Sequence, residues 1–168
     1  MRMTELIFVT GGARSGKSSF ALEKALELGG DDVTFVATAE RSDDEMVDRI
    51  ARHQLERPTM WRTIEAPREV SLSDLKSRVI LLDCLSLFVS NLLLDGLEEE
   101  MILERLQTIL ASKVQTLIVV SNEVGMGLVP EYPLGRQFRD VLGRANQLVA
   151  RASTQAFFLV AGIPLRLK

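Results

Sequence analysis

The stretch Thr10-Gly-Gly-Ala-Arg-Ser-Gly-Lys-Ser18 decides the fold of this chain. Four of its residues match the spacing G-x-x-x-x-G-K-[ST] of a phosphate-binding loop: Gly11, Gly16, Lys17 and Ser18. The glycines let successive backbone N–H groups point at phosphate oxygens, and a following helix adds the positive end of its dipole. An ordinary glycine-rich turn is the alternative. However, an apolar run at 6–9 and a helical pattern after the loop provide the strand and helix that the motif requires.

Three side chains near this loop have the chemistry of a nucleotide and metal site. Lys17 can bridge the outer phosphates of a nucleotide, and the Ser18 hydroxyl can join the ligand shell of Mg²⁺. Asp83 follows an apolar run at 79–82, so it lies at the carboxyl end of a buried strand, where open α/β sheets bind ligands. We therefore predict Ser18 and Asp83 as Mg²⁺ residues. Glu123 follows the next such run and is either a second acid of the site or a solvated carboxylate.

Alternating strand and helix patterns predict one α/β domain over residues 1–168, with a doubly wound, mostly parallel sheet. Strand patterns occur at 6–9, 33–37, 61–64, 78–82, 116–120 and 156–160, with an edge hairpin partner at 164–167. Helix patterns occupy 17–28, 43–55, 71–77, 98–112 and 134–152. The glycine pair at 29–30 stops the first helix, and Ser42 with Glu45 forms a capping box for the second.

Composition and charge limit the classes to which this chain can belong. Its 168 residues are 46% hydrophobic and 26% charged, as in a soluble globular domain with a substantial core. The net charge of −3 gives no bulk attraction to nucleic acid or to anionic membranes, so we expect neither as a partner. No apolar run reaches the ~18 residues of a membrane span, and we predict no removable signal. The single cysteine, Cys84, excludes an intramolecular disulfide and indicates the reducing cytoplasm.

The chain contains one histidine, His53, near the end of the second predicted helix. A lone histidine is more often a surface or packing residue than a catalytic one. Arginines at 49, 52 and 57 surround it, however, and guanidinium groups can bind phosphate oxygens with two hydrogen bonds. Because neutral imidazole is a nucleophile near pH 7, a phosphate loop with this histidine would permit transfer of a nucleotidyl group through the protein.

Two further segments are candidates for the ligand-binding edge of the sheet. The loop SNEVGMG at 121–127 follows a core strand and contains two glycines, although a plain connecting turn would have the same pattern. Arg136, Arg139 and Arg144 lie along one predicted helix. They form either a solvated face or an anion-binding wall, and their spacing does not decide between the two.

Together these motifs resemble one enzyme family, the bifunctional adenosylcobinamide kinase/adenosylcobinamide-phosphate guanylyltransferase of cobalamin biosynthesis. The resemblance runs from residue 6 to about 164. It rests on GGARSGKS at 11–18, VAT at 36–38, DEM at 44–46, His53, Arg57-Pro58, LDCL at 82–85, SNEVGMG at 121–127 and GRANQ at 143–147. The phosphate loop is generic, whereas the His53 segment and SNEVGMG are far more specific.

The resemblance implies two reactions. The enzyme first phosphorylates the aminopropanol hydroxyl of adenosylcobinamide, using ATP or GTP. It then takes GMP from GTP onto a histidine, releases pyrophosphate, and passes GMP to the phosphate to give adenosylcobinamide-GDP. The implied partner is therefore a corrinoid, the implied fold is a recombinase-like P-loop NTPase sheet, and the implied assembly is a homotrimer.

The resemblance also implies the residues of the site. His53 occupies the guanylylated position, and Lys17 would stabilise the charge that develops on the phosphates. The nucleotide contacts fall on Gly11, Gly12, Ala13, Arg14, Ser15, Gly16, Lys17, Ser18, Thr38, Ala39, Glu40, Gln54, Leu55, Glu56, Arg57, Glu65 and Asp83. Two rival interpretations are a P-loop small-molecule kinase in which His53 is structural, and a non-enzymatic nucleotide-dependent switch.

Overall fold

A computed structural model describes residues 5–40 and 44–168, except for the side chains of Glu45, Met46, Arg49, Arg52 and His53. The capping box predicted from Ser42 and Glu45 therefore lies outside the described residues. The described strands are β1 Glu5–Gly11, β2 Val33–Ala37, β3 Arg62–Glu65, β4 Val79–Asp83, β5 Thr116–Asn122, β6 Gln155–Val160 and β7 Ile163–Arg166. The described helices are α1 Lys17–Gly29, α2 Asp44–Leu55, α3 Leu85–Leu94, α4 Glu99–Leu110 and α5 Pro133–Ala152.

The described strands form one sheet in the order β3-β2-β4-β5-β1-β6-β7. Neighbouring strands run parallel, except that β6 and β7 form an antiparallel hairpin at one edge. The register places Val9 of β1 opposite Val120 of β5, and Leu82 of β4 opposite Val119. The carboxyl ends of β1, β2, β4 and β5 therefore lie at the same edge. The predicted mostly parallel sheet and its edge hairpin are confirmed.

Helices cover both faces of this sheet. On one face, α3, α4 and α5 enclose a buried cluster that contains Phe8 and Leu82. On the other face, α1 packs Ala21 and Ala25 into a second cluster that contains Val9. Successive residues of β1 alternate between the two clusters because side chains point to opposite faces of a pleated strand. The central strands are continuous apolar runs because both faces are covered, and the doubly wound architecture is confirmed.

Helix α1 ends where the glycine pair predicts its end. Gly30 has a φ of +57°, in the left-handed region that favours glycine, and its N–H donates to the Leu26 carbonyl at 2.8 Å. The indole N–H of Trp61 donates to the Gly30 carbonyl, also at 2.8 Å. This bond ties the entry of β3 to the end of α1.

The helix predicted over 71–77 is wrong. The segment is irregular, with a turn at 73–74, and Leu72 packs into the core with only 1% of its surface exposed. So short a helix is marginal on its own, and the burial of Leu72 decides the local conformation instead. The other predicted strands and helices are confirmed, with ends that shift by one or two residues, as is usual for such boundaries.

We expect Leu92→Ala to lower the free energy of unfolding by about 2–5 kcal/mol, because it leaves a cavity in a buried cluster. Leu92 of α3 is 1% exposed, whereas Leu26 of α1 is 49% exposed. Leu26→Ala is therefore a matched control, with an expected change of less than about 1 kcal/mol. Urea denaturation followed by the fluorescence of Trp61, the single tryptophan, measures both. Equal effects of the two substitutions would contradict the layer arrangement.

Candidate functional site

A cavity of about 750 Å³ opens at the carboxyl edge of the sheet. Its walls come from the phosphate loop with the first turn of α1, from the ends of β2, β3, β4 and β5, and from α2 with the residues that follow it. This edge is where open parallel sheets bind ligands. The predicted phosphate loop, the strand-end acid and the histidine-bearing helix therefore meet around one space.

The phosphate loop packs closely against the β6–β7 hairpin. A Cβ atom on Gly11 would lie 2.6 Å from the Leu159 carbonyl oxygen, so a larger residue does not fit there. Gly16 has a φ of +93°, and the Ser15 carbonyl accepts the Gly162 N–H at 2.9 Å. These contacts hold the loop backbone at the N-terminus of α1, where the helix dipole favours anions.

The side chain of Lys17 lies within the loop. It is buried, and its ammonium donates to the Gly12 carbonyl at 2.5 Å. Ser18 and Asp83 line the same cavity. A hydroxyl and a carboxylate are hard oxygen ligands, which Mg²⁺ takes together with waters and substrate phosphates. The donor atoms present therefore fit Mg²⁺.

Arg57 brings a positive charge to the cavity from the α2 side. Its guanidinium carbon lies 3.5 Å from the centroid of the Phe35 ring, a cation–π contact. Burial lowers the pKa of this guanidinium, and the carboxylates of Asp83, Glu56 and Glu65 act in the opposite direction. Arginine nevertheless stays protonated at neutral pH. Arg57 therefore presents a fixed cation to any ligand in the cavity.

Thr38 lies behind the cavity wall. It is fully buried, and its hydroxyl donates to the Cys84 carbonyl at 2.7 Å and accepts the Cys84 N–H at 2.8 Å. The Asn91 amide donates to the Thr38 carbonyl at 2.9 Å. These bonds join the residue after β2 to the residue after β4. Thr38 thus shapes the cavity by holding the backbone that lines it.

Cys84 lines the cavity as a neutral thiol. Its burial, together with the nearby Asp83 carboxylate, raises the pKa of the thiol to about 11. The thiol is therefore protonated at neutral pH, and only the thiolate is strongly nucleophilic. A covalent step at this site requires a different nucleophile.

The structure brings most of the predicted nucleotide residues to this cavity. Those that line it are Ala13, Arg14, Ser15, Gly16, Lys17, Ser18, Ala39, Glu40, Gln54, Glu56, Arg57, Glu65 and Asp83. The described lining does not include Gly11, Gly12, Thr38 and Leu55. The first two lie at the base of the loop, and Leu55 is 86% exposed at the end of α2.

His53 lies on α2, and its side chain is outside the described residues. Ile50 and Gln54 of the same helix line the cavity. Residues three apart share a face of an α-helix, so the backbone position of His53 belongs to the same face as Ile50.

Sequence reasoning missed several residues that line the cavity: Ser19, Phe35, Ala37, Ile50, Thr63, Pro67, Cys84, Leu87 and Val120. Asn122 at the end of β5 also lines it, and it belongs to the loop at 121–127 that the sequence offers as a candidate for the ligand-binding edge. Its amide donates to the Ser86 hydroxyl at 2.9 Å, and the Asn146 amide donates to the Asn122 carbonyl at 3.0 Å. Asn122 has the same sequence pattern as Asp83: a polar residue at the end of a buried apolar run.

The structure also answers the alternatives left open for Glu123 and the three arginines of α5. The Glu123 carboxylate accepts the Gly125 N–H at 2.5 Å and is outside the described cavity lining, so it is a loop carboxylate. Arg136 donates to two carbonyls of the preceding loop. Arg139 and Arg144 contact neighbouring carboxylates. These arginines therefore serve contacts within the protein, away from the cavity.

The sheet and the phosphate loop define the fold of a P-loop NTPase of the recombinase-like kind. Among solved structures, the chain is similar to the flagellar accessory protein FlaH from Methanocaldococcus jannaschii, with a TM-score of 0.50, 14% identity, and coverage of 98% of this chain and 78% of that one. It is also similar to a solved ATPase domain, with a TM-score of 0.50, 12% identity, and coverage of 92% and 68%. These likenesses concern the fold alone.

The family model for cobinamide kinase / cobinamide phosphate guanyltransferase matches residues 7–167, and the chain belongs to this family. It is 39% identical to the bifunctional adenosylcobalamin biosynthesis protein CobU of Escherichia coli (strain K12), over 97% of this chain and 99% of that protein. It is 41% identical to the bifunctional adenosylcobalamin biosynthesis protein CobP of Pseudomonas aeruginosa, over 95% of each. Across residues 5–40 and 44–168, no helix has the length and apolarity to cross a membrane.

We expect Thr38→Val to lower the free energy of unfolding by about 1–3 kcal/mol, because it leaves the buried N–H of Cys84 without its partner. The Cys84 carbonyl keeps the Phe88 N–H at 3.2 Å. Thr38→Ser keeps the hydroxyl and is the matched control, so it should retain most of the stability. Urea denaturation measures both variants. Equal stability of the valine variant and the wild type would show that this hydroxyl does not hold the cavity wall.

Proposed function

We propose that this protein phosphorylates the aminopropanol hydroxyl of adenosylcobinamide with ATP or GTP, and then converts the product to adenosylcobinamide-GDP with a GMP group carried on His53. Membership of the cobinamide kinase / cobinamide phosphate guanyltransferase family supports both reactions. The observation that carries the proposal is the shared cavity. The phosphate loop and Gln54 of the histidine-bearing helix α2 line the same space.

The phosphate end of the site lies at the loop. Its backbone N–H groups and the Lys17 ammonium bind the outer phosphates of the nucleotide. Gly11 and Gly12 contribute through the backbone, since the first permits the close approach to β6 and the second accepts from Lys17. Ser18 and Asp83 would hold Mg²⁺, which supplies positive charge to the polyphosphate when bound.

In the kinase step, the hydroxyl oxygen of the corrinoid side chain attacks the γ-phosphorus of ATP or GTP. A new P–O bond forms, the hydroxyl proton passes to solvent, the bond from the γ-phosphorus to its bridging oxygen breaks, and the nucleoside diphosphate leaves with the electron pair. Lys17 and the loop N–H groups stabilise the negative charge that develops on the leaving diphosphate.

In the guanylyl step, an imidazole nitrogen of His53 attacks the α-phosphorus of GTP. A P–N bond forms, the bond from the α-phosphorus to its bridging oxygen breaks, and pyrophosphate leaves with the electron pair. A phosphate oxygen of adenosylcobinamide phosphate then attacks the same phosphorus. The P–N bond breaks in this second transfer, and the imidazole recovers its lone pair.

The nucleoside end of the site lies beyond β2 and β3. The proposed contacts there are Ala39, Glu40, Gln54, Leu55, Glu56, Arg57 and Glu65, with Thr38 acting through the backbone. Arg57, packed on Phe35, supplies a cation for phosphates on the α2 side of the cavity. Carboxylates accept hydrogen bonds from sugar hydroxyls and from base N–H groups. Glu40 and Glu65 would accept such bonds from the nucleoside.

We further propose a cytoplasmic homotrimer. The loop between β5 and α5 exposes Met126, Leu128, Val129 and Tyr132, and exposed apolar groups of this size mark contact surfaces. Both reactions consume nucleoside triphosphates, which the cytoplasm supplies. The free thiol of Cys84 agrees with a reducing compartment.

The guanylyl-histidine is tested by incubating the protein with Mg²⁺ and α-labelled GTP. We expect label on the wild-type protein that survives alkali and is lost in acid, as for a phosphoramidate. His53→Ala should carry no label. Val47→Ala changes an exposed residue of the same helix and serves as the matched control that should be labelled normally.

Absence of label on the wild-type protein would favour one of the two rival interpretations. A folded wild-type protein that binds GTP and phosphorylates adenosylcobinamide, yet takes no label, would be a P-loop kinase without a covalent step. A protein that binds nucleotide but turns over no corrinoid would be the nucleotide-dependent switch.

We expect Lys17→Ala to lower both turnover rates by a factor of about 10² to 10³, because it removes the charge that stabilises the leaving phosphates. Lys24→Ala is the matched control, since Lys24 lies on the same helix and pairs with Glu27 at 2.7 Å on the surface. Initial rates of the kinase and guanylyl reactions measure the effect. Retention of both activities by Lys17→Ala would overturn the assignment of the phosphate loop.

A further inference from the structure

Arg68 connects a cavity residue to the far end of α3. Its Nη1 donates to the Glu40 carboxylate, and its Nε donates to the Asp95 carboxylate at 2.5 Å. These two hydrogen bonds raise the pKa of the guanidinium. Glu40 lines the cavity, whereas Asp95 is the C-cap of α3. Two edges of one planar guanidinium therefore hold two carboxylates in a fixed relation.

The segment that carries Arg68 is itself tied down. The Ala66 N–H donates to the Ala37 carbonyl at 2.8 Å, and the Asn91 amide donates to the carbonyls of Thr38 and Pro67, both at 2.9 Å. These bonds connect the residues that follow β3 to the end of β2, directly and through Asn91 of α3. Arg105 of α4 also donates to the Arg68 carbonyl at 3.2 Å. The backbone under the Arg68 side chain is thus anchored on β2, α3 and α4.

Glu40 lies at the end of the cavity away from the phosphate loop. β2 is three strands from β1 in the sheet, which corresponds to roughly 14 Å at the usual strand spacing. A nucleotide whose outer phosphates occupy the loop extends its nucleoside towards this end. An acidic side chain here can accept hydrogen bonds from ribose hydroxyls, as strand-end acids do in other nucleotide sites.

We propose that Arg68 is a positioning residue that fixes the Glu40 carboxylate for the nucleoside part of the bound nucleotide. The inference rests on the proposed nucleotide-binding function and adds to it a residue outside the cavity lining. A carboxylate on a free side chain would lose rotamer entropy on binding, and Arg68 removes that cost by holding it beforehand.

The solvent exposure of the Arg68–Glu40 ion pair allows a positioning role to be distinguished from a role in folding stability. The side chains of Arg68 and Glu40 are 40% and 37% exposed. Ion pairs with this exposure contribute little to folding stability. Loss of Arg68 should therefore change nucleotide affinity while thermal unfolding stays close to that of the wild type.

The test compares Arg68→Gln, Glu40→Gln and the double variant in the full-length protein, by calorimetric titration with GTP and with inorganic tripolyphosphate. We expect each single variant to weaken GTP binding by about tenfold. Glu40→Gln weakens a hydrogen bond to a charged group, and Arg68→Gln leaves a carboxylate that must lose its rotamer entropy on binding. The double variant should be no weaker than either single one, because both remove the same interaction. Tripolyphosphate affinity should stay within about twofold of the wild type, because it needs only the phosphate loop.

Arg144→Gln is the matched control, since Arg144 forms an exposed pair with Glu99 at 2.6 Å elsewhere on the surface. It should bind both ligands normally. Unchanged GTP affinity in Arg68→Gln, additive losses in the double variant, or an equal loss of tripolyphosphate binding would each overturn the positioning role. Failure of the wild type itself to bind GTP would instead remove the nucleotide-binding function on which the inference rests.

Discussion

The burial of the parallel central strands on both faces is the constraint on which the rest of the structure depends. β1, β5 and β4 lie side by side under two helical layers, and each leaves its carboxyl end at the same edge. Gly11 pairs in register with Asn122, and Asp83 pairs with Val120. Parallel pairing therefore brings residues that are distant in sequence to the same edge of the sheet. The phosphate loop and Asp83 lie near each other because of this pairing alone.

This constraint explains why so much of the fold follows from sequence patterns. A strand covered on both faces is apolar along its buried length, so a run such as 79–82 is recognisable in the sequence as a core strand. The phosphate loop and Asp83 also show locally, because their chemistry depends on short spacing and on strand ends. The helix predicted at 71–77 is wrong because the conformation there does not depend on local sequence. Leu72 is positioned by contacts with residues distant in sequence, and local helix propensity does not predict such contacts.

The far wall of the cavity was less accessible to sequence reasoning for the same reason. Phe35 has the pattern of an ordinary strand residue, and its contact with Arg57 arises only because the chain that follows α2 returns to β2. Arg68 carries no motif, and Asn91 belongs to the family-like segment Ser90-Asn-Leu92, which does not indicate its partners. Both residues join the ends of β2 and β3 to α3 through long-range hydrogen bonds. Such cross-links depend on tertiary placement. A single sequence can indicate that polar residues are present there, but not which of them meet.

The charges around the cavity define a direction for a bound nucleotide. Lys17 and the loop amides lie at one end, whereas Glu40 follows the distant strand β2 and Glu65 is the last residue of β3. A polyphosphate placed against these carboxylates would meet like charges, while sugar hydroxyls and base N–H groups would find acceptors. In the proposed binding mode, the outer phosphates therefore occupy the loop and the nucleoside lies beyond β2. The α-phosphorus, which joins these two parts of the nucleotide, is the phosphorus that guanylyl transfer requires.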